Sequence, residues 1–311
     1  VVGNFKTNLS FEMVMNEKFI ASVLLIASTI TTNNNMNHFE FSWQQEGETI
    51  FAQGWEPAQV KGVVCIVHGF NEHSTRYARA AAYLNNAGYA VLTYDEFGHG
   101  KTTGKRGHAP SYEAFLDSVK AILDEAEKRY PTAKKFLWGH SMGGGIVLNY
   151  LLKRKPNIAG AIATGPLLKL GFEPPAIKVM LAKLMVNIYP AFTESAALDS
   201  SAISRDKEEV KKYDADPYNH GKITAGTFLG FFEAGKWALE NANQLRTPLL
   251  IMHGTADKLT SPDGSKEFVD RAPKTLITSK FWDGFYHELH NEPEVDRNQV
   301  MAYITGWLDA R

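Results

Sequence analysis

Phe136-Leu-Trp-Gly-His-Ser-Met-Gly-Gly-Gly-Ile-Val-Leu-Asn-Tyr150 runs apolar, breaks around one serine, and runs apolar again. Inside a plain strand or helix each of its glycines would cost roughly 0.5–1 kcal/mol relative to alanine. Their concentration therefore marks a sharp bend or a close approach of backbone. The run before the break reads as a strand over Lys135–Trp138, and the run after it as a helix over Met142–Arg154. Between them Gly139-His-Ser-Met-Gly143 fits the pattern G-x-S-x-G in its required strand–turn–helix context. Ser141 then sits on a strained turn, with Gly139 and Gly143 where larger side chains would collide with neighbouring backbone. The helix that follows turns unpaired N–H groups and its positive end toward the serine, an arrangement suited to negative charge on a substrate oxygen.

Outward from this turn the chain alternates. Strand-like runs cover Phe39–Trp43, Thr49–Trp55, Lys61–Val67, Ala90–Tyr94, Gly160–Ala163, Pro248–Met252 and Leu276–Trp282. Helical patterns cover Arg76–Asn86, Tyr112–Arg129, Pro262–Arg271 and Glu294–Leu308. Hairpin-like strands followed by alternating β and α predict an α/β fold: a mostly parallel eight-stranded sheet with helices on both faces, over 37–164 and 244–311. The interval 165–243 breaks the rhythm. Ala176–Ile188 is apolar nearly all round, Ala225–Leu239 is rich in phenylalanine, and the charged Ser204–Lys212 between them reads as solvated. No clear strand shows there, so 165–243 is expected to form a helical subdomain. Either it simply covers part of the sheet or it caps an apolar pocket, and the surplus of apolar faces favours a cap.

A lone serine needs a base, and on this kind of sheet the chain order runs serine, acid, histidine. Leu249-Leu-Ile-Met-His-Gly-Thr-Ala-Asp257 is a strand entering a loop that ends in Asp257. Trp282-Asp-Gly-Phe-Tyr-His287 then delivers His287 ahead of the last helix. His287 is the expected base, and Asp257 the group that fixes its tautomer and stabilises the imidazolium. Asp283 reads as a turn residue, Asp263 as part of a helix first turn, and His290 as exposed. The strand ending in His68-Gly-Phe70 supplies a second oxyanion donor, the Phe70 N–H, beside the Met142 N–H, while His68 braces the loop.

Other chemistries find little footing. A formal net charge of −1 over 311 residues gives no global field for nucleic acid. The single cysteine, Cys65, reads as a core residue and rules out an internal disulfide. Gly98-His-Gly-Lys-Thr-Thr-Gly104 lacks the first glycine of a phosphate loop, because Asp95 stands there. His287-Glu-Leu-His290 is one residue short of a zinc motif. No metal and no organic cofactor are expected. Residues 1–36 are set aside as a leader, signal-like or non-native segment: Phe19–Ile30 is apolar but shorter than a membrane span. A cytoplasmic protein is expected if translation starts near Met36, and an exported or membrane-associated one otherwise.

From about Phe39 to Arg311 the chain resembles the α/β-hydrolases, and more narrowly the monoacylglycerol lipase and lysophospholipase group. The resemblance rests on His68-Gly-Phe-Asn-Glu-His-Ser-Thr-Arg-Tyr77, Asp95-Glu-Phe-Gly-His-Gly100, Gly139-His-Ser-Met-Gly-Gly144, His253-Gly-Thr-Ala-Asp257 and Tyr286-His-Glu-Leu-His-Asn-Glu292. It implies hydrolysis of a glycerol-linked fatty acyl ester through an acyl-enzyme on Ser141, beneath a helical cap. Lysophospholipase, short-chain esterase and acyltransferase activities share that triad, and a non-catalytic binding protein could reuse the fold. The expected partner is a small acyl ester or lipid, with transient micelle or membrane contact through the cap, in a monomer or weak homodimer. Asn71 departs from the group's usual glycine but tolerates left-handed backbone, and Thr102 replaces its usual serine.

Overall fold

The computed structural model describes residues 37–311 apart from 174, 175 and 197. The leader expected over residues 1–36, with its apolar run and the localisations tied to it, lies outside the described residues. The chain opens with β1 (Asn37–Gln45) and β2 (Glu48–Glu56), an antiparallel pair in register from Asn37↔Glu56 to Gln45↔Glu48. Glu46 and Gly47, both at positive φ, form the two-residue turn whose twist suits such a hairpin.

The alternating part follows: β3 (Gly62–Val67), α1 (Ala78–Asn86), β4 (Tyr89–Tyr94), α2 (Tyr112–Arg129), β5 (Lys134–His140), α3 (Met142–Arg154) and β6 (Gly160–Thr164). After an insertion come β9 (Leu249–Gly254), α7 (Pro262–Arg271), β10 (Ile277–Trp282) and α8 (Glu294–Asp309). The sheet order is β1-β2-β4-β3-β5-β6-β9-β10, parallel from β4 onward. Strands β3, β4, β6 and β9 are buried at every residue, as sheets covered on both faces require. All eight expected strands form, each with bounds within two residues of the sequence reading. Helix starts are set locally: the Ser111 hydroxyl accepts from the Ala114 N–H at 3.1 Å, and Ser261 caps α7 with Pro262 at its first position. Where a helix over Arg76–Asn86 was expected, Ser74–Tyr77 form a 3-10 turn ahead of α1, with the Ser74 N–H tied to Asp95 Oδ1 at 2.8 Å.

The insertion holds α4 (Ala176–Ile188), β7 (Thr193–Ser195), α5 (Lys207–Ala215), β8 (Lys222–Thr224) and α6 (Ala225–Asn241). Two features differ from the sequence reading. β7 and β8 pair as a short antiparallel ribbon, because three-residue strands are too brief to leave an alternating pattern. The stretch Ser204–Lys212 is not simply solvated: Ser204 and Glu209 are buried, and Glu209 pairs with Arg79 at 2.8 Å and Lys212 at 2.9 Å. α6 belongs to the main core as well as to the cover. Phe231 packs on Phe115, with ring centroids 5.1 Å apart, and Ala238 and Leu239 join the same apolar cluster. Among the described residues no helix is long and apolar enough to cross a membrane.

Candidate active site

Ser141 lies between the end of β5 and the start of α3 with φ 53° and ψ −117°, a backbone region that costs a non-glycine residue of order 1–3 kcal/mol. Neighbours hold it there. Its N–H donates to the Thr164 carbonyl at 2.9 Å, and its own carbonyl accepts from Gly145 at 3.0 Å and Leu167 at 2.9 Å. The expected glycine requirement is visible in distances. A Cβ on Gly139 would lie 2.3 Å from the Gly143 carbonyl oxygen, and one on Gly143 would lie 2.1 Å from that of Val67. The hydroxyl is thus presented at the carboxyl ends of the parallel strands, where such sheets bind ligands.

Asp257 follows β9, and His287 lies on the loop between β10 and α8. His287 Nδ1 donates to Asp257 Oδ2 at 2.6 Å. Oδ2 also accepts from His253 Nε2 at 3.0 Å, and Oδ1 accepts from the N–H groups of Leu259 and Thr260 at 2.8 and 3.0 Å. Burial alone would raise the Asp257 pKa, but the neighbouring His287 and these hydrogen bonds hold it well below the usual carboxylate range. Burial likewise pulls His287 down, and the adjoining Asp257 carboxylate outweighs it, leaving the imidazole above its ordinary value. With Nδ1 donating to the carboxylate, Nε2 carries the lone pair, which is the tautomer a general base needs.

The pieces converge on one cavity of about 1300 Å³, lined by Ser141, His287, Phe70 and His140 at one end and by apolar side chains of the insertion, among them Met185 and Phe228, elsewhere. The loop after β3 comes close to the serine: a Cβ on Gly69 would lie 3.1 Å from Ser141 Cβ. His68 braces this loop as expected. Its Nδ1 donates to the Gly69 carbonyl at 2.7 Å, and its Nε2 accepts from the Glu96 N–H at 2.9 Å. Phe70 borders the cavity with its ring edge-on to His99. Met142 opens α3, where the first-turn N–H groups have no intrahelical carbonyl.

The competing residues fall away. Asp283 sits in a turn and accepts from the Thr255 hydroxyl at 3.0 Å, and Asp263 occupies the first turn of α7. His290 is corrected: it is buried, not exposed, stacked on Tyr77 at 5.1 Å and edge-on to Trp138 and His140. Burial presses its pKa down to about 4, so it stays neutral.

Other contributors had no role in the sequence reading. His253 holds Asp257 from behind, and its own Nδ1 accepts from the Ser265 hydroxyl at 2.7 Å. The i, i+4 spacing within His253-Gly-Thr-Ala-Asp257 was its only signal. A buried ion cluster underlies the site. Arg76 makes a bidentate pair with Glu288 at 2.7 Å for both bonds and reaches Glu72 at 2.9 Å. Glu72 accepts from Tyr77 at 2.8 Å and from the Gly69 N–H. Burial would raise the Glu288 carboxyl, yet Arg76 holds it well below its usual range. Arg76 therefore joins the loop bearing Phe70 to the loop bearing His287.

The serine aminopeptidase S33 family of hydrolases matches residues 58–294. A monoacylglycerol lipase of Mycolicibacterium smegmatis is 34% identical over 264 residues, covering 84% of this chain and 93% of that protein. An uncharacterised abhydrolase domain-containing protein of Dictyostelium discoideum is 36% identical over 268 residues; the match takes in 85% of this chain and spans 28% of that relative's length. Among solved structures, a monoacylglycerol lipase from Paleococcus ferrophilus superposes with a TM-score of 0.76 at 32% identity, over 88% of this chain and 98% of that one. The chain belongs to the serine aminopeptidase S33 family and has the α/β-hydrolase fold.

Proposed function

We propose that this protein is a carboxylic-ester hydrolase that cleaves monoacylglycerols through an acyl-enzyme on Ser141. The observation that carries the reading is that His287, hydrogen-bonded from behind by the buried Asp257, lines the same apolar cavity as Ser141. In this mechanism His287 Nε2 takes the Ser141 proton as the hydroxyl oxygen attacks the ester carbonyl. The oxyanion of the tetrahedral intermediate is received by the Phe70 and Met142 N–H groups, each donor supporting roughly 2.7–4 kcal/mol of transition-state stabilisation. His287 then returns the proton to the departing glycerol oxygen, and a water molecule repeats the cycle to release the fatty acid.

The cavity supports the lipid half of this reading. Its largely apolar lining suits an acyl chain, each buried methylene contributing roughly 0.8 kcal/mol. Glu72, His140, Tyr213 and Glu288 line the cavity together with Ser141 and His287, and these polar groups suit a hydroxylated head group. The exposed apolar face of α4 supports the transient contact with micelles or bilayers. The test is hydrolysis of a monoacylglycerol series beside matched lysophospholipids and short-chain esters. Long-chain monoacylglycerols are expected to be preferred, and Ser141→Ala to lower kcat by a factor on the order of 10⁶. A peak at acetyl or butyryl esters would reject the lipid assignment.

A further inference from the structure

Asn71 stands at the junction of two parts of the molecule. It directly follows Phe70, and its φ is 58°, the left-handed backbone in which glycine is most at ease. The residue is almost fully enclosed, with 6% exposure, and both ends of its amide are used. Nδ2 donates to the Tyr213 hydroxyl on α5 at 2.6 Å, and Oδ1 accepts from the N–H of Gly221, next to β8. Glycine at this position could keep the turn but could make neither bond.

The partners are themselves held. The Tyr213 ring lies over the Arg76 guanidinium, 4.9 Å from ring centroid to Cζ, and Tyr213 is buried. His220, beside Gly221, has its Nε2 2.8 Å from the Gly98 carbonyl. On the inner side of the same turn, Glu72 takes the Gly69 N–H. The segment Gly69–Glu72 is therefore gripped from below by the ion cluster and from above by the insertion.

We propose that Asn71 is a positioning residue: it ties the turn carrying the Phe70 N–H to α5 and β8, so that this donor is aimed only while that part of the cap is seated. The inference rests on the reading of Phe70 as an oxyanion donor. It concerns a step common to every ester, so it makes a different demand from an acyl-binding role. Loosening one donor costs less than the 10²–10³-fold that follows its outright removal, and about tenfold is expected.

The experiment uses the full chain, a soluble short-chain nitrophenyl ester and a long-chain monoacylglycerol in micelles. Asn71→Gly keeps the left-handed backbone and removes the amide, while Tyr213→Phe removes one bonding partner and keeps the ring. Each is expected to lower kcat by about tenfold on both esters, with the KM for the soluble ester within about twofold of wild type. The double variant is expected to be no slower than Asn71→Gly alone, because Tyr213→Phe removes a bond that Asn71→Gly has already broken. Wild-type kcat in both single variants would overturn the proposal. So would losses that multiply in the double variant, or a defect confined to the KM of the long-chain ester. Ser141→Ala, assayed in parallel, tests the catalytic reading separately: if it stayed active, that reading would fail whatever Asn71 does.

Discussion

The carboxyl rim of the sheet and helix α4 border the same cavity and are built on opposite terms. At the rim, the charged groups are buried and paired: Asp257 is met by donors on both oxygens, and Arg76 bridges Glu72 and Glu288. On α4, apolar groups are left in solvent. Ile177, Leu184 and Ile188 follow one helical stripe and are 64, 56 and 68% exposed, while Val179, Met180, Ala182 and Met185 line the cavity. The rim is arranged to hold atoms still, at the cost of tolerance to change. The helix contributes surface and little to the hold on the fold. Damage should therefore read out differently in the two regions.

The sharpest way to break that contrast is at Asp257. Asp257→Asn removes the charge that raises the His287 pKa and the acceptor that sets its tautomer. A fall in kcat of about 10⁴ is expected, with the acid limb of the remaining activity moved to lower pH, measured on a soluble ester. A loss below tenfold would mean that the rim is less exacting than its geometry implies.

Next comes Arg76→Met. Two buried carboxylates would lose their counter-charge, which costs roughly 3–5 kcal/mol, and denaturant unfolding should register it. An unchanged midpoint would show that the cluster is not the foundation of the two loops. The smallest effects belong to α4. Leu184→Glu or Ile188→Glu should change stability by no more than about 0.5 kcal/mol and leave turnover of a soluble ester intact. Sedimentation with phosphatidylcholine vesicles should nonetheless fall several-fold. Vesicle binding equal to wild type would remove the membrane role from this face.

The sequence disclosed the rim's chemistry unevenly, for physical reasons. Ser141, Asp257 and His287 were legible because each sits where a strong strand pattern ends, and strand ends in a parallel sheet gather at one rim. The left-handed turn at Asn71 was legible as a residue type that tolerates it. The ion cluster was not: Arg76 and Glu288 are 212 residues apart, and neither carries a local sign of its partner. His290 was misread as exposed because an imidazole near a loop reads as polar, whereas Tyr77, Trp138 and His140 enclose it. α4 was legible as a helix, but a helix that is apolar all round says nothing about which side meets water. The ribbon of β7 and β8 was too short to have a period.

The most direct test of the rim is the rate at which a fluorophosphonate labels the protein across pH 5–9, with the modified residue found by mass spectrometry. One adduct on Ser141 is expected, forming faster as pH rises through a midpoint above the ordinary histidine value near 6.5, because Asp257 favours the charged imidazole. An absent adduct, an adduct on another residue, or a rate flat across that range would contradict the assignment of Ser141 and His287 as nucleophile and base.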